Sequence, residues 1–89
     1  MDKMIVIPMN LFNFTQEVLI VDNNTTKTLT RADFTSLPEV VTEACNAFGI
    51  ENIKILGNTN YAQALLNEIQ EYSVNNYSNK NLNISIMEV

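Results

Sequence analysis

Apolar and polar positions alternate along the chain in blocks that read as strands and helices. Residues 4 to 9, MIVIPM, form a β-branched apolar run closed by Asn10. The run predicts a first strand, with Pro8 placed where its nitrogen owes no ladder hydrogen bond. LFNFT carries Leu11, Phe12 and Phe14 around Asn13, and QEVLIVD (16 to 22) is a second apolar run. Asp22, Asn23 and Asn24 then predict a hairpin turn, because Asn and Asp tolerate left-handed backbone and bond their own main chain. A third strand is expected over about Lys27 to Arg31, with Thr28 and Thr30 facing one way and Lys27, Leu29 and Arg31 the other.

The period then changes. Leu37, Val40, Val41, Ala44, Cys45 and Phe48 fall on one helical stripe, with Glu39, Thr42, Glu43 and Asn46 on the wet side. Ser36 and Glu39 match the capping-box spacing, Pro38 suits a first turn, and Gly49 stands where a left-handed cap belongs. Ile53 and Ile55 begin a fourth strand ending at Gly57. Ala62, Leu65, Leu66, Ile69 and Tyr72 make the stripe of a second helix, with Thr59 or Asn60 as its cap and Asn60 with Gln63 as a variant capping box. VNNYSNKN (74 to 81) is a loop by composition, and LNISIMEV alternates Leu82, Ile84 and Ile86 with Asn83, Ser85 and Met87, as a strand with one wetter face does.

Composition narrows the function classes. At 89 residues with 46% hydrophobic content, the chain supports one domain, residues 1 to 89, with an ordinary core. Ten acidic against five basic residues give a net charge of -5, which opposes nucleic-acid and anionic-membrane partners. The acids are scattered singly, so a DNA mimic is disfavoured too. One cysteine and no histidine exclude an internal disulfide and the usual zinc constellations, and fit a reducing, cytoplasmic setting. The apolar stretch near the start is too short for a secretory core or a membrane span. Heavy use of Asn suggests an AT-rich source such as a phage or mobile element.

The order β-β-β-α-β-α-β, which covers nearly the whole chain, resembles the RNase H-like superfold shared by RNase H, retroviral integrases and one half of actin-like ATPase domains. The likeness is of topology and carries no sequence motif. It implies an α+β fold in two layers: a mixed five-stranded sheet in order 3-2-1-4-5, with an antiparallel meander followed by two parallel strands. A ferredoxin-like sandwich is the alternative if the third strand is only a loop. Right-handed crossovers then place both helices on one face and leave the other bare.

Yet the first two strands are apolar on both faces, as a sheet covered on both sides requires. Cover must come from Leu11, Phe12 and Phe14 folding back or from another chain, most simply a second copy. The residues expected at that surface are Ile5, Ile7, Met9, Phe12, Phe14, Val18 and Ile20 on the open face and its loop, with Tyr77 in the Asn-rich loop. Tyr61 and Tyr72 read as core-edge aromatics.

Candidate chemistry is thin. Gly57, Asn58, Thr59 and Asn60 form a turn at a strand end and a helix start, where anions or small ligands bind in α/β folds. No Lys, Arg or second Gly follows to hold a phosphate, so the turn reads chiefly as structural. The nuclease chemistry that the resemblance implies requires carboxylates around two metal ions, one of them within the first strand. Residues 4 to 9 hold none, and only Asp2 and Asp22 lie near a sheet end. Cys45 lies on an apolar stripe without a basic neighbour and reads as core. Lys27 and Arg31 solvate an edge and discourage edge-to-edge pairing. The expectation is a non-catalytic protein-interaction domain with no catalytic residue, metal or cofactor, forming a homodimer or docking on a host or viral protein, for instance as an inhibitor. A minimal or degenerate RNase H-like metal-dependent nuclease is the alternative.

Overall fold

The computed structural model describes residues 3–77 and 82–88; Asp2 and the end of the Asn-rich loop, including Asn79, Lys80 and Asn81, lie outside them. The elements run β1 (Lys3–Pro8), β2 (Thr15–Asp22), β3 (Thr25–Asp33), α1 (Leu37–Phe48), β4 (Asn52–Leu56), α2 (Thr59–Tyr77) and β5 (Asn83–Met87). The strands form one mixed sheet in the order β3-β2-β1-β4-β5. β1–β2 and β2–β3 are antiparallel, and β1–β4 and β4–β5 are parallel. This is the expected α+β fold, and a full nine-residue β3 removes the reason for a ferredoxin-like reading.

Register explains which side of the sheet became the core. β4 alternates Ile53 and Ile55 with Asn52 and Lys54, so only its isoleucine side suits a dry interior. Parallel pairing sets Ile5 against Ile53 and Ile7 against Ile55, and antiparallel pairing sets Ile20 against Ile5. That side meets α1 through Leu37, Val41, Ala44 and Cys45, and α2 through Ala62, Leu65 and Ile69, all in one buried cluster. Both helices therefore cover the same face, and the molecule is thin, with extents of 32 × 31 × 20 Å.

β3 is irregular. The pairing jumps from Val18↔Thr30 to Leu19↔Thr28, which leaves Leu29 as the extra residue of a bulge. Leu29 packs on the core while Arg31 pairs with Glu17 at 3.3 Å, so the simple alternation expected of these two residues does not hold.

Helix ends differ from expectation in similar ways. Ser36 at the start of α1 makes no side-chain cap. Asp33 organises the preceding turn instead: its carboxylate accepts from the Ser36 N–H and the Thr35 hydroxyl, both at 2.9 Å. Those bonds, Ser36 first, hold the Asp33 carboxyl below its ordinary range. Gly49 closes α1 with φ 67°, as its position predicted. Thr42, expected on the wet side, is buried, and its Oγ1 has no hydrogen-bond partner. α1 packs sideways on α2 as well as down on the sheet, so its dry arc is wider than the stripe alone shows. Phe48, at the last turn of that stripe, is 47% exposed. Residues 74 to 77, read as loop from their asparagines, continue α2 to Tyr77.

Candidate functional site: a bare sheet face edged by an aromatic loop

The face opposite the helices is built from the residues that alternate with the isoleucines. Met4 and Val6 of β1 pair with Val21 and Leu19 of β2, and Pro8 pairs with Leu56 of β4. These six are half-buried rather than sealed. Thr26 and Thr28 flank them on the β3 side, Asn52 and Lys54 on β4, and Asn83, Ser85 and Met87 on β5. The centre is apolar, the margins are polar, and both signs of charge are present in Glu17, Arg31 and Lys54.

The residues expected on this face therefore need correcting. Ile5, Ile7 and Val18 are fully buried beneath the helices. Met9 and Ile20 pack against the same core. Alternation along β1 and β2 alone does not decide which set turns inward, because both sets are apolar. The signal lay in β4, whose polar Asn52 and Lys54 identify the wet side and, through register, assign β1 to match. Tyr77 ends α2 in the helix layer and is half-buried.

Phe12 and Phe14 are placed otherwise. They do not fold back over the sheet: Phe12 is 98% and Phe14 80% exposed, and Leu11 beside them is half exposed. The loop between β1 and β2 is nevertheless tied down. Gln16, only 1% exposed, donates through Nε2 to the carbonyls of Asn10 and Asn13, both at 2.9 Å, and accepts through Oε1 from the Asn10 N–H. Asn10 Oδ1 accepts from the Phe12 N–H at 3.0 Å, and the Asn13 N–H reaches back to the Asn10 carbonyl at 3.1 Å. One buried amide thus satisfies the turn's polar backbone, and the two aromatic rings stand in solvent on a fixed base. Sequence reading missed Gln16, whose signal was a polar side chain on the inward phase of β2.

Two clefts flank the loop. On the sheet side, Pro8, Phe12, Glu17, Arg31, Gly57 and Asn58 are among the residues that line an open cleft of about 610 Å³. On the helix side, Met9, Leu11, Phe34, Tyr61, Ala64, Leu65 and Glu68 line about 400 Å³.

The Gly57 turn borders the sheet-side cleft through Gly57 and Asn58. Gly57 has φ 155°, a conformation that side-chain-bearing residues rarely adopt, and a Cβ there would stand a tight 3.1 Å from the Met9 Cβ. The cap of α2 is Asn58, whose Oδ1 accepts from the Asn60 N–H at 3.0 Å, one residue earlier than expected. Gln63 bonds to Asn67 rather than to Asn60. Thr59 donates to the Glu88 carboxylate at 3.0 Å, which places the protein's own anion at the helix start, where the helix dipole favours it. Asp22 ends β2 opposite Lys3. Among the described residues no three Asp, Glu or Cys side chains gather as a metal would require. Cys45 is buried in α1.

No protein-family model matches the chain, and no curated protein matches it in sequence. Solved structures match it in shape. S. cerevisiae Dom34, described as a translation termination-like factor involved in RNA quality control pathways, superimposes with a TM-score of 0.63 at 12% identity over 97% of this chain and 29% of its own. The Aquifex aeolicus Ppx/GppA phosphatase, in its type II variant, gives a TM-score of 0.50 at 8% identity over 99% of this chain and 36% of its own. The chain spans about a third of the length of these proteins, and at such identities what it shares with them is the fold.

Proposed function

We propose that this chain is a non-catalytic protein-interaction domain that pairs with a second copy of itself through the bare sheet face and the Leu11 to Phe14 loop. One observation carries the reading: Phe12 stands 98% exposed on a turn that buried Gln16 holds in place, beside a field of Met4, Val6, Pro8, Leu19, Val21 and Leu56 that neither helix covers. Aromatic rings on a rigid base lose little freedom on docking and are the usual anchors of protein interfaces.

A second copy suits this face for two reasons. An apolar centre can meet its own copy across a two-fold axis, and with Glu17 and Arg31 on one flank and Lys54 on the other such an axis can set opposite charges together. The broad side of a body with extents of 32 × 31 Å also matches the roughly 800 Å² per partner of a standard interface.

The strand order and the two fold neighbours support assigning the domain to the RNase H-like superfold, as a scaffold used for binding. Its asparagine-rich composition supports a source in an AT-rich phage or mobile element. No observation favours the nuclease alternative. Sedimentation velocity at micromolar concentrations tests the reading: the wild type runs as a dimer, and Leu19→Glu as a monomer with an unchanged far-UV circular dichroism spectrum. A wild type that stays monomeric throughout overturns it.

A further inference from the structure

The helix layer carries a second, separate feature. All the charges on α1 and α2 are acidic: Glu39, Glu43, Glu68 and Glu71, with no Lys or Arg in either helix. Every described cation lies instead on a strand, as Lys3, Lys27, Arg31 and Lys54. Glu39 and Glu43 stand four residues apart and Glu68 and Glu71 three, spacings at which like charges destabilise a helix. The field they make is felt by Tyr72, whose hydroxyl is pushed up by burial first and then by Glu39 and Glu43.

The helix-side cleft opens into this acidic surface. Its floor is apolar, from Met9, Leu11, Phe34 and Leu65, and Glu68 stands at its mouth. Glu68 also borders a second hollow, lined by Thr35, Pro38, Glu71 and Tyr72 among others. An apolar cleft of about 400 Å³ thus adjoins, at Glu68, a trough edged by Glu68 and Glu71, and neither helix supplies a basic residue beside them.

We propose that this cleft and trough form a docking site for a cationic peptide segment of a partner protein: one large apolar side chain seats among Met9, Leu11, Phe34 and Leu65, and adjoining Lys or Arg residues lie against Glu68 and Glu71. Charge complementarity selects this occupant. A neutral apolar segment leaves the carboxylates unmatched, and an acidic segment or a nucleic-acid strand is repelled. Apart from Met9 and Leu11, which border both clefts, the site lies on the helix layer, opposite the bare sheet face, so Glu68, Glu71 and Ala64 variants distinguish it from self-association.

The test uses the full chain and a fluorescein-labelled peptide in which a Leu-Phe pair is flanked on both sides by lysines. Anisotropy gives the affinity, and amide chemical-shift mapping gives the location. Saturable binding is expected, with shifts at Met9, Leu11, Phe34, Tyr61 and Leu65, and with loss of binding when the lysines are replaced by glutamates or the Leu-Phe pair by alanines. The double change Glu68→Lys with Glu71→Lys weakens it about tenfold or more, equivalent to at least about 1.4 kcal/mol. Ala64→Phe, which plugs the cleft from an exposed helix position, abolishes the shifts of the lining residues, while Leu19→Glu leaves peptide binding unchanged. The proposal is overturned by absence of saturable binding, by equal binding of the glutamate peptide, or by binding that neither helix variant alters.

Discussion

The two faces of one sheet use the same kinds of residue to opposite ends. On the helix side, Ile5, Ile7, Val18, Ile53 and Ile55 are sealed at 1% exposure or less. On the other side, Met4, Val6, Leu19, Val21 and Leu56 are comparable in size and hydrophobicity, yet each keeps part of its surface in water. The hydrophobic effect acts on area removed from solvent, so only the first set contributes its full share to the lone chain's stability. The second set holds that contribution in reserve for whatever covers it. Burial is thereby divided between alternating positions: 5 and 7 against 4, 6 and 8 in β1, and 16 and 18 against 19 and 21 in β2.

The largest contrast should come from truncating one residue on each side. Ile55→Ala removes buried methyl groups and leaves a cavity beneath the helices, with an expected loss of about 2–5 kcal/mol. Leu56→Ala, its half-buried neighbour on the bare face, should cost the dilute chain only about 1 kcal/mol. Urea denaturation at low protein concentration measures both. Repeating it at high concentration sharpens the comparison, because a dimer that buries Leu56 makes the second loss grow with protein concentration.

Next in size is the loop that continues the bare face. Gln16→Ala deprives the Asn10 and Asn13 carbonyls and the Asn10 N–H of their partner, for an expected loss of about 1–3 kcal/mol. Hydrogen exchange should show Phe12 and Asn13 amides losing protection, and self-association should weaken although neither phenylalanine has changed. Retained dimerisation with an unprotected loop would separate the loop from the interface.

Much of this organisation was legible in the chain, and the misses have physical causes. The order of elements follows from hydrophobic period, the strand order from the topological resemblance that this order of elements carries, and the common side for both helices from crossover handedness; each depends on many residues at once. The identity of the inward set on β1 and β2 did not follow, because Met4, Val6 and Pro8 are as apolar as Ile5, Ile7 and Met9. Register with the one-sided β4 resolves it, and register is a long-range property. Thr42 was illegible because α1 packs on α2 as well as on the sheet, whereas Gln16 is satisfied by the loop just before it, through Asn10 and Asn13, and was passed over although it stands on the inward phase of β2. The capping residues Asp33 and Asn58 lie just outside the motifs that the spacing pointed to, since short polar side chains at adjacent positions compete for the same backbone donors.

Smaller effects sharpen the helix-side half of the comparison. Thr42→Val keeps the shape of the side chain and removes a buried hydroxyl that has no partner. A gain of about 1 kcal/mol is expected, seen as a rise in Tm of about 4–8 °C for a domain of this size. The smallest concerns Asp33. Its folded pKa lies below the ordinary 3.8, so its carboxylate favours the folded state at pH values above 3.8, and that contribution disappears as pH falls through the lower folded value. Asp33→Asn should therefore be slightly less stable at neutral pH and lose less on acidification, when denaturation midpoints above and below pH 3.8 are compared.

The account depends most on what lies against the bare face. A sample mixed from isotope-labelled and unlabelled protein, examined by filtered NOE spectroscopy at micromolar to millimolar concentration, reads this at the side chains themselves. Intermolecular contacts are predicted from the methyl groups of Val6, Leu19, Val21 and Leu56 and from the Phe12 ring, with none from Ile5, Ile7 or Ile55. Intermolecular contacts that avoid the bare-face methyls, or their complete absence at the highest concentration, would contradict it.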